Sequence, residues 1–157
     1  MWPVTSRFLF VLSLCAVLLS GCASKPEPPA AKATPTATPN DMQKLPNGLE
    51  YKDLAIGSGA PAKLGRKVQL YYVGRLTDGL KFDSNEGKPA MEVTLGKGEV
   101  IKGWELGVAG GNGLTPMRVG GKRKLIIPPA LGYGDKPMST IPPNSTLVFE
   151  IELFSMR

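Results

Sequence analysis

Two runs of strict alternation leave this chain few folds to choose from. Val68, Leu70 and Tyr72 alternate with Gln69 and Tyr71, and Leu147, Phe149, Ile151 and Leu153 alternate with Val148, Glu150, Glu152 and Phe154. A two-residue period belongs to strands with one face in a core. Lys124-Leu125-Ile126-Ile127 adds a short run stopped by Pro128-Pro129, and Thr77-Asp78-Gly79 is a turn signal between strands. The one convincing helix is short, about Lys102–Val108, because Gly110-Gly111 cannot continue it. A strand-rich chain with one short helix has to lay that helix across a face of its sheet, which makes the expected class α+β.

The first 44 of the 157 residues do not share this pattern. Arg7 precedes an apolar run from Phe8 to Leu19. The run suits the apolar region of a signal peptide and falls short of the roughly 20 residues a membrane span needs. It ends in Leu19-Ser20-Gly21-Cys22, which resembles a bacterial lipobox. The resemblance implies a lipoprotein signal peptide over residues 1–21, diacylglyceryl transfer to the Cys22 sulfur, cleavage before Cys22 and acylation of the new amine. An ordinary signal cut near Ala23, or a buried free cysteine, is the plainer reading of the same residues. Two or three acyl chains hold a protein at a membrane where one does so only marginally. With Cys15 removed and Cys22 lipidated, no thiol is left for a disulfide.

Residues 22–44 read as a lipidated N-terminus and tether. Pro26, Pro28, Pro29, Pro35 and Pro39 stand among Ala, Thr, Ser and Lys with no apolar period. Such a segment buries too little surface to offset its ordering entropy. In polyproline conformation it would hold a domain over residues 45–157 up to about 70 Å from a bilayer. Ala23 after the cysteine fits sorting to the periplasmic face of a Gram-negative outer membrane. The net charge of +6 becomes +5 once Arg7 leaves with the signal. Only Lys122-Arg123-Lys124 is contiguous, and no aromatic residues interleave with it, so no nucleic-acid partner is expected. A solvated strand edge or a lipid-headgroup contact is the simpler reading of that triplet.

The chain has no histidine. This removes Ser-His-Asp and Cys-His catalysis and any His-ligated metal site. No GxxxxGK[ST] phosphate loop is present, and Gly110-Gly111-Asn112-Gly113 has no strand–loop–helix around it to make a dinucleotide fingerprint. Paired-carboxylate hydrolysis is open by composition, but nothing in the spacing favours it. No metal and no cofactor is expected.

Three ordered blocks carry more information. The first is Tyr72-Val73-Gly74-Arg75-Leu76 through Lys81-Phe82-Asp83-Ser84, and the second is Leu95-Gly96-Lys97-Gly98-Glu99-Val100-Ile101-Lys102-Gly103-Trp104. The third joins Gly132-Tyr133-Gly134 to Ile141-Pro142-Pro143-Asn144 and Leu147-Val148-Phe149-Glu150. In order and spacing they resemble the FKBP-type (immunophilin) peptidyl-prolyl cis-trans isomerases over roughly the last 110 residues. That resemblance implies a strongly curved antiparallel sheet wrapped about one helix, with a binding cleft between them.

Residue by residue, it implies Trp104 as the floor under a proline ring. Tyr72, Phe82, Val100, Ile101 and Phe149 become apolar walls. Val93, with Met91, stands where many members carry phenylalanine, and Ile141 closes one side. The Ile101 N–H and the Tyr133 hydroxyl would bond substrate carbonyls, and Asp83 would face the rotating amide while bonded to Tyr72. Asp83 and Tyr133 are thus the candidate catalytic groups. Each has a plainer reading: core for Trp104, Ile101 and Phe149, a turn cap for Asp83, a loop anchor for Tyr133. The residues Gly110–Pro116 lengthen the loop after the helix.

The implied partners are proline-containing polypeptide clients, macrolide ligands and, through Cys22, a membrane. Some relatives dimerise through a long N-terminal helical extension. The Pro-rich tether cannot supply one, so a monomer is expected. The alternative function is an FKBP-like peptide-binding or chaperone module with little or no turnover.

Overall fold

The computed structural model describes residues 41–157. The expected signal peptide, Cys22 and the expected tether as far as residue 40 lie outside the described residues. The elements run β1 (Gln43–Lys44), β2 (Glu50–Ala55), β3 (Lys67–Leu76), β4 (Lys81–Ser84), β5 (Met91–Thr94), α1 (Lys102–Ala109), β6 (Lys122–Ile127) and β7 (Leu147–Met156). The strands form one antiparallel sheet in the order β1-β2-β6-β7-β3-β4, with β5 also paired to β3.

Both alternating runs are strands, as their period requires. Leu147, Phe149, Ile151 and Leu153 are buried on one face of β7, while Phe154 is exposed on the other and meets the Tyr71 ring edge-on at 5.5 Å. Burying so many branched and aromatic side chains on one face is the main driving force of the fold. The sheet starts two residues earlier than the boundary expected at 45. Pro46-Asn47-Gly48 turns β1 back on β2, the Leu45 N–H donates to the Leu49 carbonyl at 2.8 Å, and Lys44 pairs with Glu50 at 2.9 Å.

Helix α1 runs one residue past its expected end and stops at Gly110, whose φ is 82°. It lies close on β6 because two of its contact positions have no side chain. A Cβ on Gly103 would stand 2.5 Å from Ile127, and one on Gly107 would stand 2.3 Å from Leu125. Gly107→Ala should therefore overpack this seam and cost about 1–3 kcal/mol, read as a lower urea midpoint. An unchanged midpoint would mean that helix and sheet are free to move apart.

The basic triplet is not a solvated edge. Strand β6 lies inside the sheet between β2 and β7, so its side chains alternate across two faces. Lys122 and Lys124 stand opposite Glu152 and Glu150 of β7. Arg123 points inward and is 2% exposed. Its Nε and Nη2 donate to the Asp53 carboxylate at 2.6 and 3.1 Å. Its Nη1 donates to the carbonyls of Gly107 and Thr115 at 2.8 and 2.9 Å. The guanidinium also lies over the Tyr51 ring, 5.2 Å from its centre. One side chain thus ties β2, α1 and the extra loop of residues 110–116 together, and Leu114 of that loop and Met117 just after it are buried.

Candidate functional site

Four rings from four elements meet between helix and sheet: Tyr72 of β3, Phe82 of β4, Trp104 of α1 and Phe149 of β7. Trp104 stands edge-to-face with Tyr72 at 4.9 Å and with Phe149 at 5.0 Å, and Phe82 meets Phe149 at 5.5 Å and 90°. Such pairs add about 0.5–1.5 kcal/mol each beyond their area burial. Gly74 makes the meeting possible. It sits opposite both Phe149 and Asp83 in the sheet, and a Cβ there would come within 2.7 Å of the Phe149 ring and 2.8 Å of the Phe82 ring.

These rings surround an open cavity of about 360 Å³. Of the expected residues, Tyr72, Phe82, Asp83, Val100, Ile101, Trp104, Tyr133 and Phe149 line it. Val93 and Ile141 do not. Val93 shares a face of β5 with Met91 but lies two residues further along and is 1% exposed, sealed in the core. Ile141 is 7% exposed and part of the same core, where it anchors a tight turn by exchanging backbone bonds with Met138.

The loop of residues 95–101 is held by the helix that follows it. Glu105 accepts the N–H groups of Gly96 and Gly98 at 3.0 Å each, which fixes the approach of Val100 and Ile101. The Ile101 carbonyl accepts the Trp104 N–H at 2.9 Å, starting α1, while the Ile101 N–H finds no acceptor among the described residues. Trp104 is 4% exposed and its indole N–H is buried with no partner among the described residues. Packing alone holds that ring.

Polar groups line the side facing β4. The Tyr72 hydroxyl donates to Asp83 Oδ2 at 2.8 Å. Burial pushes the Tyr72 phenol up to about 12, helped by this bond, by the Asp83 charge and by Tyr133. Burial, and then the Asp83 charge, raises Tyr133 as well. Both phenols are therefore protonated donors at neutral pH. No lysine or arginine among the described residues forms an ion pair with Asp83, and Lys81 is taken by Glu86 at 3.0 Å.

Met91, noted with Val93 as standing where many members carry phenylalanine, lines the cavity, and two lining residues escaped the sequence reading: Gly98 and Glu99. Glu99 adjoins Val100 and Ile101 in the second block, so its place in the motif was the available signal. Asn85 is a further positioning residue. Nearly buried, it accepts the Tyr72 N–H at 2.8 Å and donates to the Leu70 carbonyl at 2.9 Å, tying the end of β4 to β3 beside Asp83.

Fold and site together place this chain among proteins in which a curved antiparallel sheet and one short helix enclose an aromatic ligand cleft. The family model for FKBP-type peptidyl-prolyl cis-trans isomerase matches residues 59–154, and the chain belongs to that family. FK506-binding protein 4 of Rhizopus delemar is 49% identical over 118 residues, which are 74% of this chain and 29% of that relative. This chain therefore spans less than a third of that curated relative. Among solved structures, AtFKBP13 superposes with a TM-score of 0.71 at 42% identity, covering 74% of this chain and 99% of that one. FkpA from Escherichia coli gives 0.64 at 37% identity, covering 74% of this chain and 51% of that one.

Proposed function

We propose that this chain is a peptidyl-prolyl cis-trans isomerase acting on polypeptide clients in a cell envelope, held there by lipid on Cys22. The observation that carries the catalytic reading is the aromatic cavity floored by Trp104, with the Tyr72–Asp83 hydrogen bond on one wall and, on another, an Ile101 N–H that has no acceptor among the described residues. The anchor and the envelope location rest on residues 8–22 of the sequence.

Prolyl isomerisation makes and breaks no covalent bond. Its barrier of about 20 kcal/mol is the loss of amide resonance as the C–N bond twists. The planar amide is the more charge-separated form, and apolar walls solvate it less well than water does. The Xaa-Pro unit enters with its ring on Trp104 and an apolar Xaa against the walls. The Ile101 N–H and the Tyr133 hydroxyl hold backbone carbonyls, and Asp83, bonded to Tyr72, faces the rotating one. Raising a rate from about 0.01 to about 100 per second takes only about 5.5 kcal/mol. Orientation and preorganised polar groups supply this without a titrating acid or base. Macrolides are a second ligand class for the same cavity, with Met91 lining its wall.

The test is isomerisation of a Leu-Pro peptide by substoichiometric protein, comparing the parent with folded Asp83→Leu and Tyr133→Phe. Both variants should lose activity, Asp83→Leu by about tenfold or more. A folded parent that gives no acceleration, yet suppresses client aggregation at stoichiometric amounts, would make the domain a binding module instead. Membrane partition of the expressed full chain, abolished by Cys22→Ser, tests the anchor separately.

Turnover should be flat between about pH 6 and 8, since histidine is lacking and the cavity phenols are moved upward, away from neutrality. A bell-shaped profile in a folded protein would refute this. Stability should respond in alkali as well as in acid, where Glu86 and Glu92, held low by Lys81 and Lys67, lose their pairing. The Tyr72 phenol is raised from 10.0 to about 12 in the folded state, so its contribution is full below pH 10 and is lost as pH rises through about 12. Tyr72→Phe should weaken that alkaline loss in pH-dependent denaturation.

A further inference from the structure

The cavity rim carries a carboxylate that the isomerisation step leaves unused, Glu99, besides the Asp83 that it employs. Asp83 and Glu99 line the cavity, and no lysine or arginine does. This happens in a chain whose net charge is +6. The Glu99 carboxylate is held in place, because its Oε2 accepts the Thr94 N–H at 2.8 Å, and its Oε1 accepts nothing among the described residues. Lys67, which feels the Glu99 charge, is paired with Glu92 at 2.7 Å, and Lys81 is paired with Glu86 at 3.0 Å. Asp83 likewise forms no ion pair among the described residues, and its charge is felt by both phenols, Tyr72 through a direct hydrogen bond.

We propose that Glu99, together with Asp83, makes the cleft charge-selective: it favours prolyl segments with a lysine or arginine beside the Xaa-Pro unit and disfavours those with a carboxylate there. The inference rests on the isomerase reading and specifies its substrates. Glu99 lies two residues before Ile101, whose N–H has no acceptor among the described residues and, on the isomerase reading, docks a substrate carbonyl. The residue docked there brings its side chain, or that of its neighbour, to the Glu99 carboxylate. A single exposed ion pair is weak in water, but two like charges over an apolar concavity reinforce each other.

The experiment uses the full chain and peptides with a common Leu-Pro core, carrying lysine or glutamate either before the leucine or after the proline. At low salt the parent should show kcat/KM about fivefold higher for lysine than for glutamate at one flank at least. High salt should erase the difference. Glu99→Gln should at least halve the ratio at that flank, by raising KM for the lysine peptide rather than by lowering kcat. Equal handling of lysine and glutamate peptides by the parent overturns the proposal, and so does a preference that survives Glu99→Gln unchanged. An uncharged Leu-Pro peptide separates the two readings. If it is bound but not isomerised, the isomerase reading falls, while the charge preference is still decided by the same peptides' dissociation constants, followed through Trp104 fluorescence.

Discussion

Arg123→Met is expected to destabilise the domain by about 3 kcal/mol, seen as a lower urea midpoint at unchanged slope. The substitution strands the Asp53 carboxylate and removes the donor shared by the Gly107 and Thr115 carbonyls. Removing one partner of a buried pair costs about 3–5 kcal/mol. The Asp53 side chain keeps 26% of its surface in water, which places this case at the lower end. Adding Asp53→Leu should restore a good part of the loss, because the orphaned charge then goes as well. A single variant within about 1 kcal/mol of the parent would assign the pair the modest worth of a surface bridge. The clamp also matters for the cleft. It grips α1 at Gly107, less than one turn after Trp104, so the variant should broaden substrate binding as well as lower stability.

Trp104→Ala should cost about 3–5 kcal/mol and abolish peptide binding. The ring is buried, Tyr72 and Phe149 lean on it at 4.9 and 5.0 Å, and its N–H leaves no acceptor stranded when it goes. The loss is therefore one of packing. Trp104→Leu separates the fold from the site, since it refills part of the volume but offers no flat face. Peptide isomerisation by this variant should drop by about tenfold or more, with most stability retained. Turnover equal to the parent would put the proline ring somewhere else in the cavity.

Much of this was legible in the chain, and the gaps have physical causes. The period of two in residues 68–72 and 147–154 reports burial on one face directly, so β3 and β7 could be read without knowing their neighbours. Motif order carried Tyr72, Phe82, Asp83, Trp104, Tyr133 and Phe149 to one cavity, although they come from three distant stretches. Depth within the fold was not legible. Val93 and Met91 share a face of β5, and only the layer above them decides that one is core and the other wall. Arg123 was misread for a related reason. Between two lysines it looks solvated, and its inward turn depends on Asp53, Gly107 and Thr115, none of them local. The strand Gln43–Lys44 was hidden because two residues have no period; only the Asn47-Gly48 turn hinted at it.

The strand order has a consequence for how such a domain is made. Of its strands, β7 comes last in the chain and sits in the interior of the sheet, between β6 and β3. Until Leu147–Met156 arrives, two halves of the sheet stand with open edges and nothing to join them. A nascent chain therefore cannot complete its sheet before β7 has emerged. Pairing so remote in sequence is slow to form and dominated by its final step. The arrangement works as a latch: two halves of a sheet wait on one strand, and its arrival closes the sheet at once.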